Sequence, residues 1–142
     1  MIFGMPTLIE LKSPEACAAL CRELGLAFVE LSMDMPEYQS DRLDLDLLSN
    51  IAIKYGVYYT FHLSGFLNPC DFNNKIAAAY TESVLETIAA AKQLSAPIIN
   101  MHLQLSDYFS LPDRKICLFD EYESEYLHKM ATFPGRLHSR NW

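Results

Sequence analysis

Pro97-Ile98-Ile99-Asn100-Met101-His102-Leu103-Gln104 reads as a buried strand that turns polar toward its C-terminal end. Its nearest parallel in the chain is Val57-Tyr58-Tyr59-Thr60-Phe61-His62-Leu63-Ser64. Both runs are short, rich in β-branched and aromatic residues, follow a helical pattern and carry a histidine near their end. In parallel α/β proteins the C-terminal ends of the strands are where sites assemble.

Outward from these runs the periodicity alternates. A helix over Asn73 or Asn74 to Leu94 presents Ala77, Tyr80, Val84, Ile88 and Ala91 as its inward stripe. Another covers Leu43 to Tyr55, with Leu47, Leu48, Ile51, Ala52 and Tyr55 on one face and Gly56 as its stop. Before it, Leu26 to Met33 has strand character. The first helix is marked by Ser13 as N-cap, Pro14 at the first helical position, apolar Cys17, Leu20, Cys21 and Leu24, and Gly25 past its end. Ile2 to Leu11 predicts a first strand, short or irregular because of Gly4 and Pro6. After Gln104, Leu105 to Lys115 reads as a long loop with Pro112, and Phe119, Tyr122, Tyr126, Met130 and Phe133 mark a fourth amphipathic helix.

Four strands alternating with helices predict a parallel sheet of βαβ units. Their spacing suits half of an eightfold barrel, a (βα)4 half of a TIM barrel. An open flavodoxin-like sheet has the same spacing, but Lys12-Ser13-Pro14-Glu15 is no glycine-rich phosphate cradle. Parity within the strands favours the barrel. Phe28, Glu30 and Ser32 share one side of the second strand, Tyr58, Thr60 and His62 of the third, and Ile98, Asn100, His102 and Gln104 of the fourth. The opposite sides are wholly apolar and suit packing under helices. One face per strand thus turns polar toward the C-terminal end, as in a barrel whose interior opens into a site.

Residues 1–133 are read as this half-barrel domain. At Pro134 the periodicity stops, and residues 134–142 are expected to be an irregular or foreign tail. At 142 residues and 51% hydrophobic content the chain can bury a real core. It has neither an apolar run of spanning length nor a secretory leader pattern, which places it in the cytoplasm with no membrane partner. Cys17, Cys21, Cys70 and Cys117 lack metal-finger spacing and read as reduced thiols. The net charge is −7, and residues 1–127 hold 8 basic against 18 acidic side chains. Such a surface repels a phosphate backbone, so no nucleic acid is expected as a partner.

Glu30, His62 and His102 lie near the ends of three strands and point to one small volume. A carboxylate and two imidazoles are metal ligands for Zn or Mn, and equally the tools of general acid–base chemistry. A lone strand histidine is more often a satisfied core residue; the shared parity of the two favours a common site. Asn100 and Gln104 flank His102 and offer neutral hydrogen bonds of the kind that orient a hydroxylated substrate, although Asn100 equally suits satisfying neighbouring backbone.

Glu30 within FVELSMDMPEY, His62 within YYTFHLSG, His102 within INMHLQ and the later LPDRKICLFDEY together resemble the xylose-isomerase-like TIM-barrel superfamily of sugar phosphate isomerases and epimerases. Endonuclease IV is its DNA-repair branch. The resemblance spans residues 2 to 133 and only the first four βα units of eight. It implies that His62 and His102 line the site, binding substrate in the isomerases and additional metal in endonuclease IV, that Glu30 is a pocket residue, and that the ligand is a small sugar or sugar phosphate; Asn100 and Gln104 join the candidate substrate-binding set by their position beside His102. The principal metal ligands and acid–base carboxylates of the isomerases belong to the later strands, which have no counterpart here. The expectation is therefore the truncated N-terminal half of an isomerase or epimerase-like protein, which when complete performs metal-assisted proton transfer. A catalytically silent or self-associating fragment is the alternative, and an endonuclease IV-like enzyme the third reading. Whether this chain acts as an enzyme by itself stays open. Its uncovered strand edges lead to the expectation of a homodimer.

Overall fold

Val29, Leu31, Tyr59 and Phe61 are all 1% exposed or less, and the elements of the first half of the chain are arranged around them. The computed structural model describes residues 1–102 and 107–138. The chain divides into two compact units, 1–65 with 86–102 and 66–85 with 103–142. No helix among the described residues is long and apolar enough to cross a membrane.

The first unit is a parallel sheet in the order β1 (Gly4–Pro6), β2 (Phe28–Ser32), β3 (Tyr58–His62) and β4 (Ile99–Asn100). Helices α1 (Pro14–Glu23), α2 (Leu45–Tyr55) and the end of α3 (Asn74–Gln93) supply Cys17, Cys21, Leu48, Ile51, Ala90 and Ala91 to the same core. This is the expected parallel (βα)4 order. Local chemistry sets the helix ends. Ser13 Oγ accepts from the Ala16 N–H at 3.1 Å, and Asp44 Oδ1 from the Leu47 N–H at 2.9 Å. Gly56, at φ 63°, ends α2 in the left-handed conformation that glycine adopts without strain.

The face of β2 and β3 away from the helices begins with aromatic rings. Phe28 and Tyr58 stack with centroids 5.2 Å apart, and a Cβ on Gly4 would lie 2.3 Å from the Phe28 ring. Gly4→Ala is therefore expected to displace that ring and to lower stability by about 1–3 kcal/mol, readable in urea unfolding. Thr60 on this face is 1% exposed and Tyr59 on the other is equally buried; neither hydroxyl has a partner among the described residues. Burial, reinforced by the nearby Cys17 and Cys21, pushes the Tyr59 phenol well above its usual range, so it stays neutral. None of the four cysteines is in a disulfide among the described residues, and Cys17, Cys21 and Cys70 are buried. Cys21 donates to the Phe28 carbonyl at 3.3 Å.

Several boundaries differ from the sequence expectation. The first strand shrinks to three residues, and β4 keeps only Ile99 and Asn100, opposite Phe61 and His62. The Leu63 N–H still reaches the Asn100 carbonyl at 2.9 Å, and the regular pairing stops there, leaving His102 just past the strand. In the second unit, part of the expected 105–115 loop is an antiparallel hairpin of β5 (Tyr108–Ser110) and β6 (Lys115–Cys117). Its Leu-Pro-Asp-Arg connection is closed by the Leu111 N–H on the Arg114 carbonyl at 2.8 Å. The expected fourth helix is two, α4 (Leu118–Glu121) and α5 (Glu123–His138). The break expected at Pro134 is absent: α5 carries Pro134 inside it, and the buried Phe133 side chain lies beside that position. Residues 139–142 of the expected tail lie outside the described residues. Phe72, Phe119, Tyr122 and Tyr126 form the aromatic cluster of this unit, with Phe119 and Tyr126 stacked at 3.8 Å.

Candidate functional site

Parallel register places the ends of β2, β3 and β4 side by side: Glu30 is level with Thr60, Ser32 with His62, and His62 with Asn100. Alternation then turns Glu30, His62 and Asn100 to the face away from the helices. Four of the five expected residues meet there. His62 Nδ1 lies 2.6 Å from Glu30 Oε1, Asn100 Nδ2 donates to Glu30 Oε2 at 3.1 Å, and His62 Nε2 lies 2.8 Å from His102 Nε2. The two imidazole rings are tilted at 40° with centroids 4.8 Å apart. Gln104 lies outside the described residues.

The contacts suit one arrangement of protons. A carboxylate only accepts, so His62 Nδ1 carries the hydrogen directed at Glu30. In the neutral ring His62 Nε2 is then the acceptor, and His102 donates to it from its own Nε2–H. Glu30 is filled on both oxygens, one by an imidazole and one by an amide. It and His62 are half-buried, while Asn100 and His102 are exposed. The result is a braced base at the bottom of the network and two outward polar groups above it. Such an arrangement can hold a polyhydroxylated ligand by its hydroxyls and can accept or return one proton at the imidazole pair.

The donor set does not make a self-contained metal centre. A tetrahedral Zn site needs three or four protein ligands. Here the two Nε2 atoms share a hydrogen bond and Glu30 is turned to the far nitrogen of His62. Among the described residues no group of three His, Cys, Asp or Glu side chains is arranged to hold a metal. Among the described residues, His62 and His102 have no further ligand arranged to complete a metal site with them.

Sequence reasoning passed over three residues that brace the strand ends. Thr7, buried just after β1, accepts from the Ser32 N–H at 3.1 Å. Asp34 Oδ1 accepts from Ser64 Oγ at 2.6 Å and from the Gly65 N–H at 3.2 Å, tying the loop after β2 to the one after β3. The available signal was position: Asp34 and Ser64 each lie two residues beyond the ends of the strands that carry Glu30 and His62, and Thr7 lies one residue beyond β1.

No protein-family model matches the chain, and no curated protein matches it in sequence. Solved structures do match. A D-tagatose 3-epimerase-like protein superposes with a TM-score of 0.70 at 18% identity, over 95% of this chain and 47% of its own length. The fold is that of half a TIM barrel. The D-allulose 3-epimerase of Methylomonas sp. in complex with D-allulose matches at 0.61 and 13% identity, over 87% of this chain and 41% of its own. The D-psicose 3-epimerase of Clostridium cellulolyticum H10 with D-tagatose matches at 0.64 and 12%, over 96% and 49%. The half-barrel thus spans about half the length of the structures it resembles, and at these identities the likeness is one of fold.

Proposed function

We propose that Glu30, His62, Asn100 and His102 form one wall of a binding site for an unphosphorylated ketose in a sugar epimerase-like barrel. The observation that carries this reading is the continuous network from Asn100 through Glu30 and His62 to His102 at the C-terminal strand ends. Epimerases of the same fold are described with D-allulose and D-tagatose. The network contains imidazoles, a carboxylate and an amide, with no lysine or arginine to neutralise a phosphate. A free sugar therefore suits it better than a sugar phosphate.

The chain by itself binds and orients the sugar. Moving a proton from carbon requires a second wall that polarises the carbonyl. Calorimetric titration with D-allulose, D-tagatose and D-fructose is expected to give binding of the order of 1 mM, about 4 kcal/mol, with loss of the signal in His62→Ala. No heat up to the solubility of the three sugars, or binding indifferent to His62→Ala, would overturn the reading.

A further inference from the structure

We propose that two copies of this chain close an eight-stranded parallel barrel, β1 of each docking on the free edge of β4 of the other with Gly4 level with Asn100. The outward edges are defined by the hydrogen bonds already made. Thr7 N–H donates to the Glu30 carbonyl and Ala27 N–H to the Phe3 carbonyl, so Phe3, Met5 and Thr7 face β2, and Gly4 and Pro6 face outward. Phe61 and Leu63 donate to the Ile98 and Asn100 carbonyls, so Ile99 and Met101 face outward from β4. Neither outer edge has a strand partner among the described residues.

The register selects a single closure. Gly4 is level with Phe28, Phe28 with Tyr58, and His62 with Asn100, which puts Gly4 level with Ala96. Eight-stranded barrels of this kind have a shear of about 8, so two identical halves must each contribute about four residues of stagger. Four residues past Ala96 is Asn100. The direction is fixed because β4 begins at Ile99, already displaced toward its C-terminal end, and the opposite shift would place β1 against helix α3. The parity also agrees. With the partner's Gly4 beside Asn100, the partner's Gly4 N–H donates to the Ile99 carbonyl and the Met101 N–H to the partner's Gly4 carbonyl. Pro6 contributes only its carbonyl, so the seam is short.

The side chains fit the same register. Two steps down the seam, the partner's Ile2 stands opposite Ile98, and these isoleucines are 70% and 51% exposed in the isolated chain. Each copy thus covers the other's apolar residue at both seams, which supports a second copy as the occupant. Because all strands run parallel, the two-fold operation brings both networks to the same mouth. The pocket of the proposed ketose site then has two walls of Glu30, His62, Asn100 and His102; this consequence, unlike the closure, rests on the sugar reading.

The test combines mass with register. In sedimentation equilibrium the unmodified chain is expected at twice its 16.2 kDa. Neighbouring parallel strands lie about 4.8 Å apart, within disulfide reach. On a Cys117→Ser background, mixing Met5→Cys chains with Met101→Cys chains under oxidation is expected to give a disulfide-linked dimer. Ile99→Cys in place of Met101→Cys, two residues out of register, is expected to give none. A 16.2 kDa species at every concentration overturns the closure, as does a dimer that fails to crosslink 5 to 101. A crosslinked dimer that binds no ketose leaves the closure standing and removes the sugar reading; a monomer that binds ketose does the reverse.

Discussion

Phe61→Ala is expected to lower the stability of the sheet unit by about 3–5 kcal/mol, the loss typical of removing a large buried ring from a core. Phe61 is 0% exposed in β3, a central strand, and belongs to the cluster formed with α1 and α2. Its backbone also holds the sheet together: its N–H donates to the Ile98 carbonyl at 3.1 Å. Truncation leaves a cavity that the strand, paired on both sides, cannot collapse to fill. Urea unfolding followed by circular dichroism measures the change, and Phe61→Leu serves as the control with a loss of about 1.5 kcal/mol or less. A loss below about 1 kcal/mol for Phe61→Ala would mean that this ring is not at the centre of the core.

Glu30→Ala is expected to separate binding from stability. Glu30 orders two groups, the His62 imidazole at 2.6 Å and the Asn100 amide at 3.1 Å. Both remain reachable by water when the carboxylate is removed, so stability changes by only about 1 kcal/mol or less. Ketose affinity falls by at least about tenfold, roughly 1.4 kcal/mol, because His62 loses its fixed tautomer and Asn100 its orientation. Calorimetric titration of the variant reads the affinity, and thermal unfolding reads the stability. Unchanged affinity with a large loss of stability would make Glu30 a structural residue only.

The parts of the fold legible from sequence were those written in strict periodicity. Alternation in FVELS and YYTFH placed Val29, Leu31, Tyr59 and Phe61 under the helices and turned Glu30 and His62 to the opposite face. Ser13, Gly25 and Gly56 set helix ends through local hydrogen bonds and backbone conformation, which need no tertiary information, whereas the Asp44 cap was missed and the second helix begins at Leu45 rather than Leu43. What lay beyond reach depends on partners. The length of β4 is decided by where β3 stops pairing, not by the apolar run Pro97 to Leu103. Tyr108 to Cys117 lacks a long alternating pattern, and its hairpin is held by the turn around Pro112 and Asp113. Pro134 looked like a terminator because it removes one helical N–H; in α5 the remaining ladder and the burial of Phe133 carry the helix past it.

The site divides in the same way. Shared parity and register made the meeting of Glu30, His62 and Asn100 readable, since backbone geometry alone sets it. That His102 would turn its Nε2 toward His62 is a side-chain matter no spacing encodes. Asp34 and Ser64 stand just past strand ends, which sequence shows, but their contact across two loops is set by side chains that spacing does not encode.

A crystal structure of the chain with D-allulose tests the central claim most directly. The expected result is the sugar at the C-terminal strand ends, with hydroxyl oxygens within about 3 Å of Asn100 Nδ2 and a His102 ring nitrogen and the Glu30–His62 contact intact. Sugar bound away from Glu30, His62 and Asn100, or a Glu30–His62 pair broken apart in the crystal, would contradict it.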